Sequence, residues 1–316
     1  MRGKRVVVVG AGKSALDCTT VAATHGASCT LVFRTPPWMM PRYFFKRIRM
    51  DRLFVTRLAE QLFPTYHRPT RIERLWHRTA GPLLRLWWSA QTWLIPRLSD
   101  MPADMVPDKP LPTGLENSGV GTEFYQVVKQ RGMRTKRAQV TAFSGPDTIQ
   151  LDTDEQINAD VIIFATGWHQ DLSLLDTELR RMVQPDGRFH LYRHILPPQL
   201  PHLGFIGYAS STACPFISGV AAHWLSACFQ GTLTLPSGSE MEQEITRVLH
   251  WLAEVFPARP DGYFIGPYIS HYSDELLHDL GLRTRRRRNI LAEYLSPFWP
   301  ERYRDIAEER QHVHPV

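Results

Sequence analysis

Cysteine is scarce in this chain of 316 residues: there are four, Cys18, Cys29, Cys214 and Cys228. That is far too few for a disulfide scaffold, and the thiols are expected to be reduced. No two of them stand at CxxC spacing, which excludes a zinc ribbon or a thioredoxin-type motif. Long apolar runs are missing as well. None approaches the ~18 residues that a membrane-spanning helix requires. The first apolar run, Val6 to Val9, stops at a glycine and reads as a strand rather than a signal peptide. The expected location is therefore cytoplasmic, with peripheral membrane contact as the alternative. No HExxH, no GxSxG and no carboxylate pair placed for acid–base work occurs, so a zincin, an α/β-hydrolase and a glycosidase find no support. What is present is a hydrophobic fraction of 43%, enough for a sizeable core and incompatible with a disordered chain. A length of this order suggests ~2 domains.

The opening residues carry the strongest local signal. Arg5-Val6-Val7-Val8-Val9 is a β-branched run suited to a strand buried on both faces of a parallel sheet. Gly10-Ala11-Gly12-Lys13-Ser14-Ala15 follows directly, then a helical stretch from Lys13 to about Thr24 that Gly26 stops, then a second strand over Ser28–Phe33. Strand, glycine turn, helix and strand make the first half of a Rossmann unit. Gly10 serves the tight turn, Gly12 lets a pyrophosphate approach the backbone, and Ala15 keeps the helix close to the strand. The helix N-terminus offers unpaired N–H groups to the phosphates. "GKS" at Gly12-Lys13-Ser14 hints at a P-loop, but the first glycine of that motif would fall on Val7, inside the strand, so a P-loop is rejected.

The second strand ends in Phe33-Arg34-Thr35. An NAD site places Asp or Glu here for the ribose hydroxyls. Arginine instead offers a planar fork of donors that matches a phosphate. Arg34 and Thr35 thus predict NADPH over NADH.

Charge is unevenly spread. Residues 42–98 hold twelve basic side chains, Lys46 among them, against Asp51, Glu60 and Glu73; the segment nets +9, while the whole chain nets only +6. Trp76, Trp87, Trp88 and Trp93 interleave with the charges, and Leu83 to Pro96 reads as a helix with a wide apolar face. Three uses fit: packing against a core with a solvated basic face, a membrane interface, or the wall of a substrate entrance. Nucleic acid is not expected, because no recognised motif accompanies the charge. Met105 to Pro112 reads as a loop, Gly121 to Gln130 as a helix, and Ala138–Phe143 with Thr148–Leu151 as a hairpin. Tyr125 and Lys129 stand at YxxxK spacing, but the glycine-motif form and the upstream serine of short-chain reductases are absent, so no catalytic role is assigned. A last buried strand, Asp160 to Phe164, ends in Ala165-Thr166-Gly167-Trp168.

Together these stretches resemble the flavin-containing monooxygenases, the class B flavoprotein monooxygenases that include Baeyer–Villiger enzymes. Val9 to Ala15 resembles the family's NADPH-binding turn, and Phe33 to Trp38 with Pro41-Arg42 the segment after its second strand. Phe164 to Trp168 is similar to the family's hinge between the NADPH and flavin domains. Leu203-Gly204-Phe205-Ile206-Gly207, followed by His223-Trp224, resembles the strand and helix that close the flavin domain, and the tail around Tyr272 to Gly281 fits too.

The resemblance implies an α/β fold. It consists of a Rossmann-type NADP(H)-binding domain over residues 1–165, with the basic insertion at 42–98, and the C-terminal part of an FAD-binding domain over 166–316. It implies NADP(H) and FAD as cofactors, dioxygen, and a small-molecule nucleophile or ketone as substrate. N- or S-oxygenation, or Baeyer–Villiger oxidation, would proceed through a C4a-(hydro)peroxyflavin. The cofactor-binding residues would be Gly10, Gly12, Lys13, Ser14, Ala15, Arg34, Thr35, Ala165, Thr166, Gly167 and Gly207.

Two features depart from the family pattern. No second glycine fingerprint occurs, which suggests that the N-terminal FAD-binding half is lacking and that an NADP(H)-binding subunit partnered by a separate half is the alternative. Gly219 and Ala221 stand where animal members carry Glu and Gln. Phe205, Ile206, Phe216, Trp224 and Phe229 are then expected to be partly exposed, and the run Arg283 and Arg285 to Arg288 to be a solvated face.

Overall fold

The structure is a computed structural model that describes residues 1–44, 47–116, 118–121, 123–131, 133–168 and 170–313. Lys46 of the basic segment and His169, at the start of the region expected to face a missing half, lie outside the described residues. The chain divides into two compact units. One comprises Met1–Met50, Arg85–Leu111 and Asn117–Gln170; the other comprises Asp51–Leu84, Pro112–Glu116 and Asp171–Val316. Residues 51–84 and 112–116 therefore count with the C-terminal unit, where the sequence placed all of residues 1–165 in one domain.

The first unit is built on a parallel sheet. β1 (Arg5–Val9) pairs with β2 (Ser28–Phe33) on one side, Val6 facing Cys29, and with β7 (Val161–Phe164) on the other, Val6 facing Val161. β3 (Arg134–Arg137) completes the sheet beside β2, giving the order β7–β1–β2–β3. Side chains alternate across β1 as strand geometry requires. Val6 and Val8 face α1 (Lys13–His25) and α3 (Glu123–Arg131), packing with Ala15, Leu16, Phe124 and Tyr125. Val7 faces the other way, onto Ile149 and Leu151. Those two belong to a three-stranded antiparallel sheet of β4 (Val140–Gly145), β5 (Thr148–Leu151) and β6 (Gln156–Asn158), which includes the expected hairpin. Both faces of the parallel sheet are thus covered, which explains why β1 is uniformly β-branched rather than alternating. The ring of Tyr125 is buried, and Lys129 pairs with Asp100 at 3.1 Å, so the YxxxK spacing serves packing and a surface ion pair.

The second unit is mainly helical. α4 (Cys214–Phe229) packs on α6 (Ile269–Asp279), with α5 (Gly238–Val255) opened by a reciprocal capping box of Ser237 and Glu240. Three expectations are corrected here. Trp224 is fully buried, and its indole N–H donates to Asp279 Oδ2 at 3.1 Å. Residues 203–207 form no strand: Gly204 lies so close to Leu225 that a Cβ would stand 2.4 Å from Leu225 Cδ1, and Gly207 turns the chain at φ +92°. Arg286 is not solvated; its guanidinium donates to Glu309 and lies over the Tyr303 ring at 4.8 Å. Ile206 and Phe229 are exposed as expected, while Phe205 and Phe216 are half-buried.

The unit's interior is unusually ionic. Arg193, whose side chain is 5% exposed, donates to Asp279, Glu244 and Glu275 at 2.6–3.1 Å. Burial pushes the Glu275 carboxyl up to about 7, against the pull of Arg193. His271 is clamped between Glu60 (Nδ1–Oε2, 2.6 Å) and Glu73 (Nε2–Oε2, 3.3 Å). Burial pulls its pKa down, but the two carboxylates outweigh burial and hold it up at about 10, so the ring is an imidazolium.

One long helix, α2 (Arg71–Leu98), carries much of the basic segment. Glu73, Leu84, Gln91 and Ile95 mark its buried side. Ile72, Trp76, Thr79, Leu83, Leu86, Ala90 and Trp93, all exposed, recur at steps of three and four on a second side. Arg71, Arg74, Arg78 and Arg85 occupy a third. Among the described residues no helix is long and apolar enough to cross a membrane.

Candidate dinucleotide site

The carboxyl ends of the parallel strands open into a cleft of about 1110 Å³ that lies wholly within the first unit. Open α/β sheets place ligands at this edge. Gly10 occupies φ +135°, and a Cβ there would stand 2.2 Å from the Ala165 carbonyl oxygen. Only glycine fits: Gly10 N donates to Val32 O at 2.9 Å and Ala165 N to Val9 O at 2.8 Å, so the turn is pinned to both neighbouring strands. Gly12 differs. It caps α1 at φ −68°, and a Cβ added to it would meet nothing within 4 Å. The first turn of α1 carries no acidic residue and no side-chain cap, so its N–H groups face open space with the positive end of the helix dipole behind them.

Ten of the eleven sequence-predicted residues belong to this unit, and nine line the cleft: Gly10, Gly12, Lys13, Ser14, Arg34, Thr35, Ala165, Thr166 and Gly167. Ala15 is fully buried beneath the turn, where its small side chain lets α1 approach β1. Gly207 belongs to the second unit and does not line the cleft. Lys13 pairs with Asp17 one helical turn on. Arg34 and Thr35 are exposed, and Arg34 has no ion-pair partner among the described residues. Sequence reasoning missed the far wall, Ala138 to Phe143, as well as Cys18. That wall begins 126 residues after Gly12 and reaches the cleft because Ala138 N donates to Phe33 O at 2.9 Å, a pairing with no local signature.

A strand–glycine–helix cradle places the chain in the class of α/β proteins with a dinucleotide-binding fold, here with an arginine after the second strand that has no ion-pair partner among the described residues. The comparisons narrow the class. The flavin-binding monooxygenase-like family model matches residues 122–291, more than half of the chain, and the chain belongs to that family. It is 26% identical to a probable flavin-containing monooxygenase 1 of Arabidopsis thaliana, over 98% of this chain and 61% of that protein. It is likewise 26% identical to the N-oxide-forming dimethylaniline monooxygenase 2 of Mus musculus, over 89% of this chain and 49% of that protein. Among solved structures it is similar in fold to cyclohexanone monooxygenase in an open form (TM-score 0.54, 15% identity, 90% of this chain and 66% of that one). The chain thus spans about half to three-fifths of the length of these curated relatives.

The cleft fits NADP(H): an open glycine, free helix N–H groups and an uncommitted guanidinium are what a pyrophosphate and a 2′-phosphate require. FAD has no comparable cradle among the described residues. The strands of the second unit are two- and three-residue pieces, Ser210–Ser211 with Phe264–Gly266, and the one glycine that leads from them toward a helix, Gly266 (φ +57°), is packed against Gly114 and Phe256 rather than open like Gly12.

Proposed function

We propose that this chain is the NADP(H)-binding part of a flavin-dependent monooxygenase that oxygenates a small-molecule nucleophile at N or S, or a ketone. The observation that carries the reading is the joint presence, in a member of this family, of the pinned Gly10 turn, the open Gly12 and the unpaired Arg34 around one cleft. The chain's own residues bind and orient. The α1 amides and the Gly12 backbone would hold the pyrophosphate, Lys13 and Ser14 would flank it, and Arg34 with Thr35 would grip the 2′-phosphate. FAD, held by a separate half, supplies the oxygen-activating chemistry when bound. No general acid or nucleophile of this chain is required, and none is assigned. Removing the guanidinium tests the reading. Arg34→Ala is expected to weaken NADPH binding by about 10- to 100-fold, the worth of a charge-assisted contact, and to leave NADH binding within a factor of a few. Titration calorimetry with both nucleotides measures this; equal losses for the two would place the 2′-phosphate elsewhere.

A second, compatible reading concerns α2. Its exposed apolar stripe (Ile72 is 82% exposed) lies beside an arginine stripe, and its one acidic residue, Glu73, is turned inward to His271. An apolar face flanked by cations and tryptophans suits the interface of an anionic bilayer. Sedimentation with phosphatidylserine vesicles is expected at low salt and to fall as salt rises. Charge reversal of Arg71, Arg74 and Arg78 together should cost more than about 100-fold in binding, at ~1 kcal/mol for each charge near the surface. Salt-independent binding to neutral vesicles would count against it.

A further inference from the structure

The basic run near the C-terminus plays no part in the dinucleotide cleft, and it lines a second cavity, inside the C-terminal unit. This cavity is small, about 20 Å³, with room for a single water-sized body. Arg57, Arg286, Arg287 and Arg302 line it, against one carboxylate among the described residues, Glu293. That carboxylate is fully engaged: Oε1 accepts from Arg57 Nε at 2.8 Å and Oε2 from the Arg287 backbone N–H at 2.9 Å. Arg57 is engaged as well, with Asp274 and the Thr284 carbonyl. Arg286 differs. Its side chain is 6% exposed and its Nη1 donates to both oxygens of Glu309, yet its Nε and Nη2 are buried and meet no acceptor. Neither Arg287 nor Arg302 forms an ion pair through its guanidinium among the described residues.

We propose that this cavity is a binding site for a monatomic anion of the halide class, held by the open Nε–Nη2 edge of Arg286 together with Arg287 and Arg302. Buried donors without an acceptor are rare and destabilising, and those on a cation most of all. The rest of the wall adds donors rather than carboxylates: Ser296 has a hydroxyl that can donate, and Phe298 and Trp299 are apolar surface. A ligand that only accepts suits such a wall better than water, whose own two protons also need partners. The volume admits one ion and is too small for a phosphate. Bound there, the ion would tie residue 57, the turn at 286–287 and the tail at 298–302 together, next to the bond from Phe298 N to Val55 O at 2.8 Å.

Thermal unfolding of the full chain, with chloride exchanged for gluconate at constant ionic strength, tests this, alongside anomalous scattering from crystals grown in bromide. The wild-type melting temperature should rise by about 3 °C or more, saturating, as chloride reaches ~100 times its dissociation constant. Bromide should appear in contact with Arg286. Arg286→Gln should abolish the rise. Arg302→Gln removes an exposed side chain, so the fold should stand, and halide binding should weaken by about 10-fold or more. If Arg286→Gln does not fold, Arg302→Gln decides: an unchanged dissociation constant overturns the site. A melting temperature indifferent to chloride, or a rise equal in the wild type and both variants, overturns it too. A bromide peak without any such rise marks an adventitious ion only, and the proposal falls.

Discussion

Arg193→Met is expected to destabilise the C-terminal unit by on the order of 3–5 kcal/mol, the usual cost of removing one partner from a buried ionic network. Arg193 faces Asp279, Glu244 and Glu275, all largely shielded from water, and its removal leaves three carboxylates whose other arginine partners among the described residues, Arg68 and Arg247, both reach only Glu244. Arg68 is 41% exposed and cannot replace the bidentate grip on Asp279. The damage should spread, since Asp279 also accepts the Trp224 indole N–H and Tyr272 OH donates to the Arg193 carbonyl at 2.7 Å. Thermal unfolding followed by circular dichroism should show a fall of roughly 10 °C or more. Arg188→Met is the control: its partner Asp186 is exposed, and the change should stay below about 1 kcal/mol. A melting temperature for Arg193→Met equal to that of the control would show the network to be idle.

Gly10→Ala has the second large effect, and it strikes stability and binding together. The backbone conformation at Gly10 is one that L residues rarely adopt, costing ~1–3 kcal/mol by itself. The added Cβ would also sit 2.2 Å from a carbonyl oxygen fixed in the sheet, so β1 or the segment after β7 must move. A loss of at least about 3 kcal/mol is expected, with affinity for 2′,5′-ADP reduced at least tenfold. Gly12→Ala separates the two effects. Its Cβ meets no protein atom, so stability should change by less than about 1 kcal/mol, while the methyl group enters the space meant for a phosphate and affinity falls. Melting curves and calorimetry on the two variants decide it; equal stability losses at both positions would falsify the assignment of distinct roles.

The strand–glycine–helix arrangement of the candidate site was legible in the sequence because it is local. Residues 5–35 contain the strand, both glycines, the helix and the arginine in one continuous stretch, each reporting its role through neighbours in the chain. The hairpin and the strand before Ala165 were legible for the same reason. The far wall of the cleft was not, because Phe143 reaches it through a strand pairing that no spacing encodes. Nor was the ionic interior: Arg193 finds its acids 51 to 86 residues away, and as isolated letters they look like surface charge. Trp224 was misjudged on the same ground, since its burial depends on an aspartate 55 residues on. Arg286 shows the converse error, in which a run of like charges hid one member that is packed.

The central position of β1 has a consequence for biosynthesis. Its neighbour β2 begins 19 residues after β1 ends, but its other edge is covered only by β7, which pairs residue 9 with residue 164. At ribosomal rates of ~5–20 residues per second, that edge stays open for roughly 8–30 s after β1 emerges. During this interval four consecutive valines present unpaired N–H and C=O groups, an invitation to pair with another chain. The yield of soluble protein should therefore depend on how the nascent chain is shielded during those seconds, before any question of cofactor arises.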